Sequence, residues 1–322
     1  MKVTLGWYFK KVRIEGLENV PRNQPLLVAP NHQNAFLDAL LVGAFIPIPF
    51  HILTRADIFN KWSTPLLGLL NMMPIYRIRD GYAKLSQNDA VFETCKDLFR
   101  ENESVLIFPE GNHGEHHYLR PLTKGAARIA LFSQKEIDTE LQVLPVGVNY
   151  FDHQKSRKGV VVVFGKPVSV KSFAEQHEEK GAKALLELKE AISDGMKETL
   201  VIPEETDDYE RKKQFIFQKK NLGLTFNKLR NYDYKSDKKV EKLPRRGRIA
   251  KILNPVPFYF IKRIVSNAND PVFHSSLKFA TGLVAFPVWW LFILLILSLV
   301  VGTPLALFTV FVMVFGLFYS YS

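Results

Sequence analysis

A chain of 322 residues is long enough for one large domain or two smaller ones. Its composition is that of an ordinary globular protein until the C-terminal end, where it becomes almost wholly apolar, and its single cysteine, Cys95, excludes an internal disulfide framework. The net charge of +11 is concentrated between Arg211 and Arg263, which hold seventeen Lys/Arg against three acidic residues; no zinc-finger spacing or ribonucleoprotein aromatic motif accompanies them, so the expected partner is a bilayer with anionic headgroups and not a nucleic acid.

Residues 1–11 carry Trp7-Tyr8-Phe9 and then two lysines, without the sustained apolar core of a signal peptide, and read as an interfacial segment or a packed helix end. From about Ile14 to Val170 short apolar runs alternate with amphipathic segments. Strands are expected at residues 26–29, 51–54, 73–76, 105–108, 143–149 and 160–164, and helices near 35–45, 64–70, 85–101 and 122–132. Cys95 falls in one of those amphipathic helices, as a buried thiol. Residues 172–200 read as one helix, with Leu185, Leu188, Ile192, Met196 and Leu200 forming a single stripe. Residues 204–242 are charged and helical, and 244–248 form a hinge. The expected fold class is α/β: a mostly parallel sheet flanked by helices, with a helical C-terminal extension and an apolar membrane-anchoring tail. The expected boundaries are 1–170 for the α/β domain, 171–243 for the charged extension, and 244–322 for a basic juxtamembrane segment and the membrane segments.

Residues 282–301 contain no charge and are long enough to cross a bilayer core. Gly302-Thr303-Pro304 interrupts them, and residues 305–319 are again apolar but short. Two readings stand: a tight helical hairpin, or a re-entrant and partly interfacial pair. Lys262, Arg263 and Lys278 place the leading end on the cytoplasmic side. Trp289 and Trp290 in mid-segment fit a simple span poorly.

Four clusters carry chemistry. Pro30-Asn31-His32-Gln33-Asn34-Ala35-Phe36-Leu37-Asp38 puts a histidine and an aspartate just past a strand end. An imidazole is the side chain suited to take a proton near neutrality, and a carboxylate can fix its tautomer; a helix-capping turn is the structural alternative. With no Gly-x-Ser-x-Gly elbow in the chain, the activated hydroxyl would belong to the substrate. Arg77 and Arg79 follow the strand at 73–76, and arginine recognises phosphate through its planar fork. Phe108-Pro109-Glu110-Gly111 ends the most apolar strand, with His113, Glu115, His116 and His117 following at no zinc-motif spacing, so no metal is expected. Arg120 to Arg128, with Lys124 between, lead into a helix start suited to holding phosphate. Finally, the strand at 143–149 contains Pro145, which marks an edge, a bulge or a strand end near a site.

Together and in this order, these clusters resemble the glycerophospholipid acyltransferase superfamily over about Ile14–Val170. The resemblance implies that residues 1–170 are an acyltransferase catalytic domain with His32 and Asp38 as the catalytic pair. Arg77, Glu110, Gly111, Lys124 and Pro145 would serve acceptor binding, Gly111 and nearby amides also stabilising the oxyanion. It implies no cofactor: acyl-CoA or acyl-ACP would be the co-substrate, an acyl carrier protein thus being a candidate partner. Glycerol-3-phosphate or 1-acylglycerol-3-phosphate would be the acceptor, in phospholipid biosynthesis, at the cytoplasmic face of a membrane. Five residues separate His32 from Asp38, where the commonest form has four. The longer spacing is similar to that of the eukaryotic-type glycerol-3-phosphate and dihydroxyacetone-phosphate acyltransferase branch, and it requires the segment to begin as a turn before becoming helical.

Overall fold

The structure, a computed structural model, describes residues 2–61, 63–76, 87–218, 221, 223–233 and 248–319. Its elements run α1 (Lys2–Tyr8), β1 (Lys11–Glu15), β2 (Leu26–Pro30), α2 (Ala35–Phe45), β3 (Phe50–Arg55), α3 (Thr64–Leu69), β4 (Met72–Ile75), α4 (Gln87–Arg100) and β5 (Ser104–Leu106). They continue with α5 (Gly125–Gln134), β6 (Gln142–Tyr150), β7 (Gly159–Phe164), β8 (Val168–Ser169), α6 (Lys171–Lys180) and α7 (Ala182–Glu198). After α8 (Tyr209–Ile216) and α9 (Phe226–Arg230) come α10 (Arg248–Leu253), α11 (Pro255–Ser266), α12 (Phe273–Val301) and α13 (Thr303–Tyr319).

The strands form one sheet in the order β1-β7-β6-β2-β5-β3-β4, with β8 also on β6. Every pairing is parallel except β6 with β7 and β6 with β8. Both faces are covered, which is why β2 (LLVAP) and β7 (GVVVVF) are buried along their whole length and show no polar alternation. On one face Leu5 of α1 and Leu37, Leu41 and Val42 of α2 pack with Phe279 of α12. On the other, Cys95 and Phe99 of α4, Ile129 and Ala130 of α5 and Leu188, Ile192 and Met196 of α7 close the sheet. Each fully buried side chain of this kind contributes about 1.5–3 kcal/mol. Burial also pushes the Cys95 thiol up to about 12, so it stays protonated.

Three expectations change. Residues 172–200 are two helices, α6 and α7, because Gly181 takes φ 52°, a conformation that ends the first helix and that only glycine adopts cheaply. Pro145 marks no sheet edge: β6 is interior, flanked by β2 on one side and β7 and β8 on the other. It is tolerated because it falls between the last β7 pair, Val146 with Phe164, and the first β8 pair, Val143 with Val168. There Gly165 N–H donates to the Pro145 carbonyl at 2.8 Å, and the N–H that proline lacks has no strand partner to lose. Of residues 204–242, those described form no single long helix but short ones, α8 and α9 among them; most of the expected hinge, 244–247, lies outside the described residues.

The tail is a helical hairpin. Gly302 at φ 88° breaks it, and Phe318 near the end of α13 returns to Trp7 of α1, ring centroids 5.8 Å apart. Phe279 near the start of α12 stacks edge-on against neighbouring Tyr8 at 5.4 Å, so the two ends of the hairpin lie together. By length and composition α12 can cross a membrane, its most apolar 18-residue stretch having a mean hydropathy of 2.7. Trp290 sits mid-helix because its indole N–H donates to Asn254 Oδ1 at 2.8 Å, between α11 and α12.

Candidate active site

The site forms where β2 ends and α2 begins, at the carboxyl edge of the sheet. Asn31 extends β2 by one step: its side chain accepts from Val148 N–H at 2.7 Å and donates to the Val148 carbonyl at 3.2 Å. The chain then turns, with Ala35 at φ 40°, before the helix proper. That strained turn absorbs the extra residue between His32 and Asp38. Asp38, fully buried in the first turn of α2, reaches back so that its Oδ2 accepts from Gln33 N–H at 2.8 Å and Asn34 N–H at 2.7 Å. These are amides that a helix start leaves without intrahelical partners.

His32 Nδ1 lies 2.9 Å from the same oxygen. An oxygen already accepting from two amides can only accept again, so Nδ1 carries the proton and Nε2 is left as the basic nitrogen. The second carboxylate oxygen accepts from Tyr150 Oη at 2.6 Å. Burial, and then the neighbouring Asp38 carboxylate, hold the Tyr150 phenol well above its usual range, so it remains a donor. The His32 ring stacks on Phe108 at 3.8 Å between centroids, which fixes its plane.

Glu110 is a brace. One oxygen accepts His32 N–H at 2.7 Å and the other pairs with Arg120 Nε at 2.6 Å. Burial pushes its carboxyl up to about 7 against the opposing pull of Arg120 and of those donors. Arg120 also donates to the carbonyls of Asn112, and of His113 at 3.3 Å, tying the loop after Glu110 to itself. Gly111 has φ +70°, and a Cβ there would come within 2.9 Å of Thr123 Cγ2. Its N–H closes a turn onto the Phe108 carbonyl at 3.0 Å, so this amide is already used and is not offered to an oxyanion, contrary to expectation.

The structure thus brings His32, Asp38, Glu110 and Gly111 together. Lys124 is exposed at the start of α5, next to Thr123, which packs beneath Gly111. Pro145 lies within β6 against Gly195 of α7, a Cβ on which would meet Pro145 Cγ at 2.8 Å; it supports the sheet and shows no contact with the His32 cluster. Arg77 lies outside the described residues. Sequence reasoning missed Tyr150 and the bracing role of Arg120, since neither is adjacent in the chain to what it holds. It also missed Ser276 of α12, whose Oγ donates to the Asn34 carbonyl at 2.9 Å and accepts from Leu37 N–H at 3.3 Å. No sequence signal links residue 276 to residue 34.

Beside His32 opens a polar cleft of about 730 Å³, bordered by Arg55, Asn112, His113, Arg120 and Asp270. Arg55 is paired with Asp57 there. Burial, and then His32, hold the His113 imidazole below its usual value, so it is neutral near pH 7. Among the described residues no three His, Cys, Asp or Glu side chains converge as metal ligands. The arrangement is a base with an oriented proton, held next to a cleft that bears two guanidiniums, each already ion-paired, and the carboxylates of Asp57, Glu115 and Asp270.

Residues 11–149 match the family model for acyltransferases. The glycerol-3-phosphate O-acyltransferase 1 of Saccharomyces cerevisiae is 32% identical over 133 residues, 40% of this chain and 17% of that protein. A chloroplastic 1-acyl-sn-glycerol-3-phosphate acyltransferase of Arabidopsis thaliana is 31% identical over 127 residues, 38% of this chain and 33% of the relative. The chain therefore covers at most a third of either relative's length. A crystal structure of a 1-acyl-sn-glycerophosphate acyltransferase from Thermotoga maritima superposes with a TM-score of 0.41 at 21% identity, over 58% of this chain and 76% of that one.

Proposed function

The domain at residues 11–149 belongs to the glycerophospholipid acyltransferase superfamily, and from that premise we propose that the chain moves a fatty acyl group from a thioester, acyl-CoA or acyl-ACP, to a hydroxyl of glycerol-3-phosphate or 1-acylglycerol-3-phosphate. The observation that carries the reading is the 2.9 Å contact of His32 Nδ1 with an Asp38 oxygen that also accepts from two backbone amides.

The acceptor hydroxyl loses its proton to His32 Nε2 as its oxygen attacks the thioester carbonyl. Asp38 stabilises the imidazolium so formed. When the tetrahedral adduct collapses, the C–S bond breaks and the thiolate takes the proton back from His32. No acyl-enzyme is needed, because positioning and base catalysis suffice for direct attack on a thioester. The acceptor phosphate belongs in the cleft with Arg55 and Arg120, Arg77 and Lys124 being further candidates from the sequence; Glu110, followed by Gly111, holds Arg120 there through its ion pair. The five-residue spacing favours glycerol-3-phosphate. The apolar α12–α13 hairpin and the basic stretch before it favour attachment to a bilayer, with the catalytic domain on the cytoplasmic face.

The test is an acyl-transfer assay on the purified full chain in detergent. Glycerol-3-phosphate, dihydroxyacetone phosphate and lysophosphatidate are each offered with one thioester donor. Product is expected on the phosphate-bearing glycerol acceptors, and His32→Ala should lower kcat by about 10²–10⁴-fold with membrane association unchanged. Full activity in His32→Ala would sink the mechanism, and thioester loss that is independent of acceptor would mean a hydrolase.

A further inference from the structure

The tail borders a second cavity, of about 680 Å³, walled by α1, the loop between β6 and β7, and α10, α11, α12 and α13. It is separate from the cleft beside His32. The cleft is bordered by residues 270–272 and the cavity begins at Lys278; between them Ser275 and Ser276 pin the first turns of α12 to the catalytic domain. Its walls are aromatic and aliphatic, with Phe258, Phe286, Trp290 and Leu317 among them. Four cationic side chains line it, Lys155, Arg157, Lys251 and Lys278, and among the described residues no carboxylate does. Asp152, just outside, is held by Lys155 at 2.6 Å. The Lys278 ammonium is aimed at a carbonyl, that of Gln154, at 2.8 Å.

We propose that this cavity holds one anionic phospholipid drawn from the surrounding bilayer, with its acyl chain against α11–α13 and its phosphate at Lys278. The volume falls in the range of built small-molecule sites, and the lining joins an apolar wall to a cluster of cations, the two halves of an anionic lipid's chemistry. Leu283, Val284 and Leu291 of α12 are exposed on the same helix, which puts the cavity mouth at the hydrocarbon boundary. A lysine there is costly unless its charge is met; the Gln154 carbonyl and the field of Asp152, itself held by Lys155, meet it in part, and a headgroup phosphate completes it. An acyl chain fills the remainder, each buried methylene adding to the affinity. This inference rests on the bilayer placement of α12 and not on the chemistry at His32.

The test uses the full chain, delipidated in detergent and titrated with phosphatidylglycerol or phosphatidylcholine, with occupancy read by native mass spectrometry. One phosphatidylglycerol per chain is expected, bound at least about tenfold tighter than phosphatidylcholine, the worth of a charge-assisted contact. Lys278→Ala should erase that preference and Lys278→Arg should keep it. Gly282→Trp should abolish retention of either lipid. The nearest atoms to a Cβ at Gly282 are side-chain atoms of Phe286 and Ile261, at an ordinary 3.6 and 3.9 Å, and Gly282 lines the cavity, so a larger side chain there takes up its space. His32→Ala should bind lipid like the parent, which separates this result from the fate of the proposed reaction. Equal affinity for the two lipids, or undiminished retention in Gly282→Trp, would overturn the proposal.

Discussion

Asp38→Asn isolates the charge in the His/Asp pair. An asparagine can turn its carbonyl to the position of Oδ2 and keep accepting from His32 Nδ1 and from the amides of Gln33 and Asn34. Its amide then faces the Tyr150 hydroxyl, which can accept as well as donate. The geometry survives; the anion does not. Unit charges 2.9 Å apart attract by about 6 kcal/mol at an effective dielectric near 20. Desolvation of the pair takes back part of that, leaving about 3–5 kcal/mol of transition-state stabilisation to lose, or about 10²–10⁴ in kcat. KM for either substrate should hardly move, because Asp38 is fully buried behind His32. The assay is initial-rate kinetics on Asp38→Asn, His32→Ala and the double variant. If the two residues act as one unit, the double variant is no slower than His32→Ala alone. A kcat for Asp38→Asn within threefold of the parent, in a protein of unchanged melting temperature, would refute the argument that the carboxylate stabilises an imidazolium.

Further predictions concern the scaffold around the pair. Burial, aided by His153, holds the His117 imidazole down at about 3, while the unfolded chain takes its proton near 6.5. Between those values the unfolded state binds more protons, so stability is full above pH 6.5 and falls as the pH drops; at pH 5 the loss is about 2 kcal/mol, and His117→Phe should flatten the melting temperature over pH 5–7. Gly111→Ala should cost about 2 kcal/mol, whereas Gly125→Ala, whose Cβ meets Thr123 Oγ1 at an ordinary 3.6 Å, should be neutral or stabilising; comparable losses in thermal unfolding would contradict the strain at Gly111. Ser276→Ala removes a cap worth about 1 kcal/mol and should lower kcat several-fold with KM unchanged, with recovery in Ser276→Thr.

The parallel sheet was legible because buried strands such as β7 are continuous apolar runs, and the His/Asp pair because it follows one of them directly. The spacing of five was legible as a demand for a turn, and Ala35 supplies it at φ 40°. Other features escaped for definite reasons. β1 (KVRIE) is polar because it lies at the sheet edge with none of its residues fully buried, so it gives no apolar signal. The break at Gly181 is invisible to the stripe, because Leu185, Leu188, Ile192, Met196 and Leu200 all lie after it. Stretch 171–200 reads as an extension, yet Leu188, Ile192 and Met196 share one core with β2 and α5. Tyr150, Arg120 and Ser276 act across the fold, and only tertiary structure makes them neighbours of residues 31–38.

The contact of Ser276 with Asn34 and Leu37 also sets an order of assembly. His32 and Asp38 leave the ribosome early, and Ser276 follows more than two hundred residues later. Until the first turns of α12 emerge, the helix that carries Asp38 lacks part of its cap. A nascent chain arrested before that point should therefore hold a folded sheet and an unfinished turn at Asp38, so the proposed activity would arrive together with the helix long and apolar enough to cross a membrane.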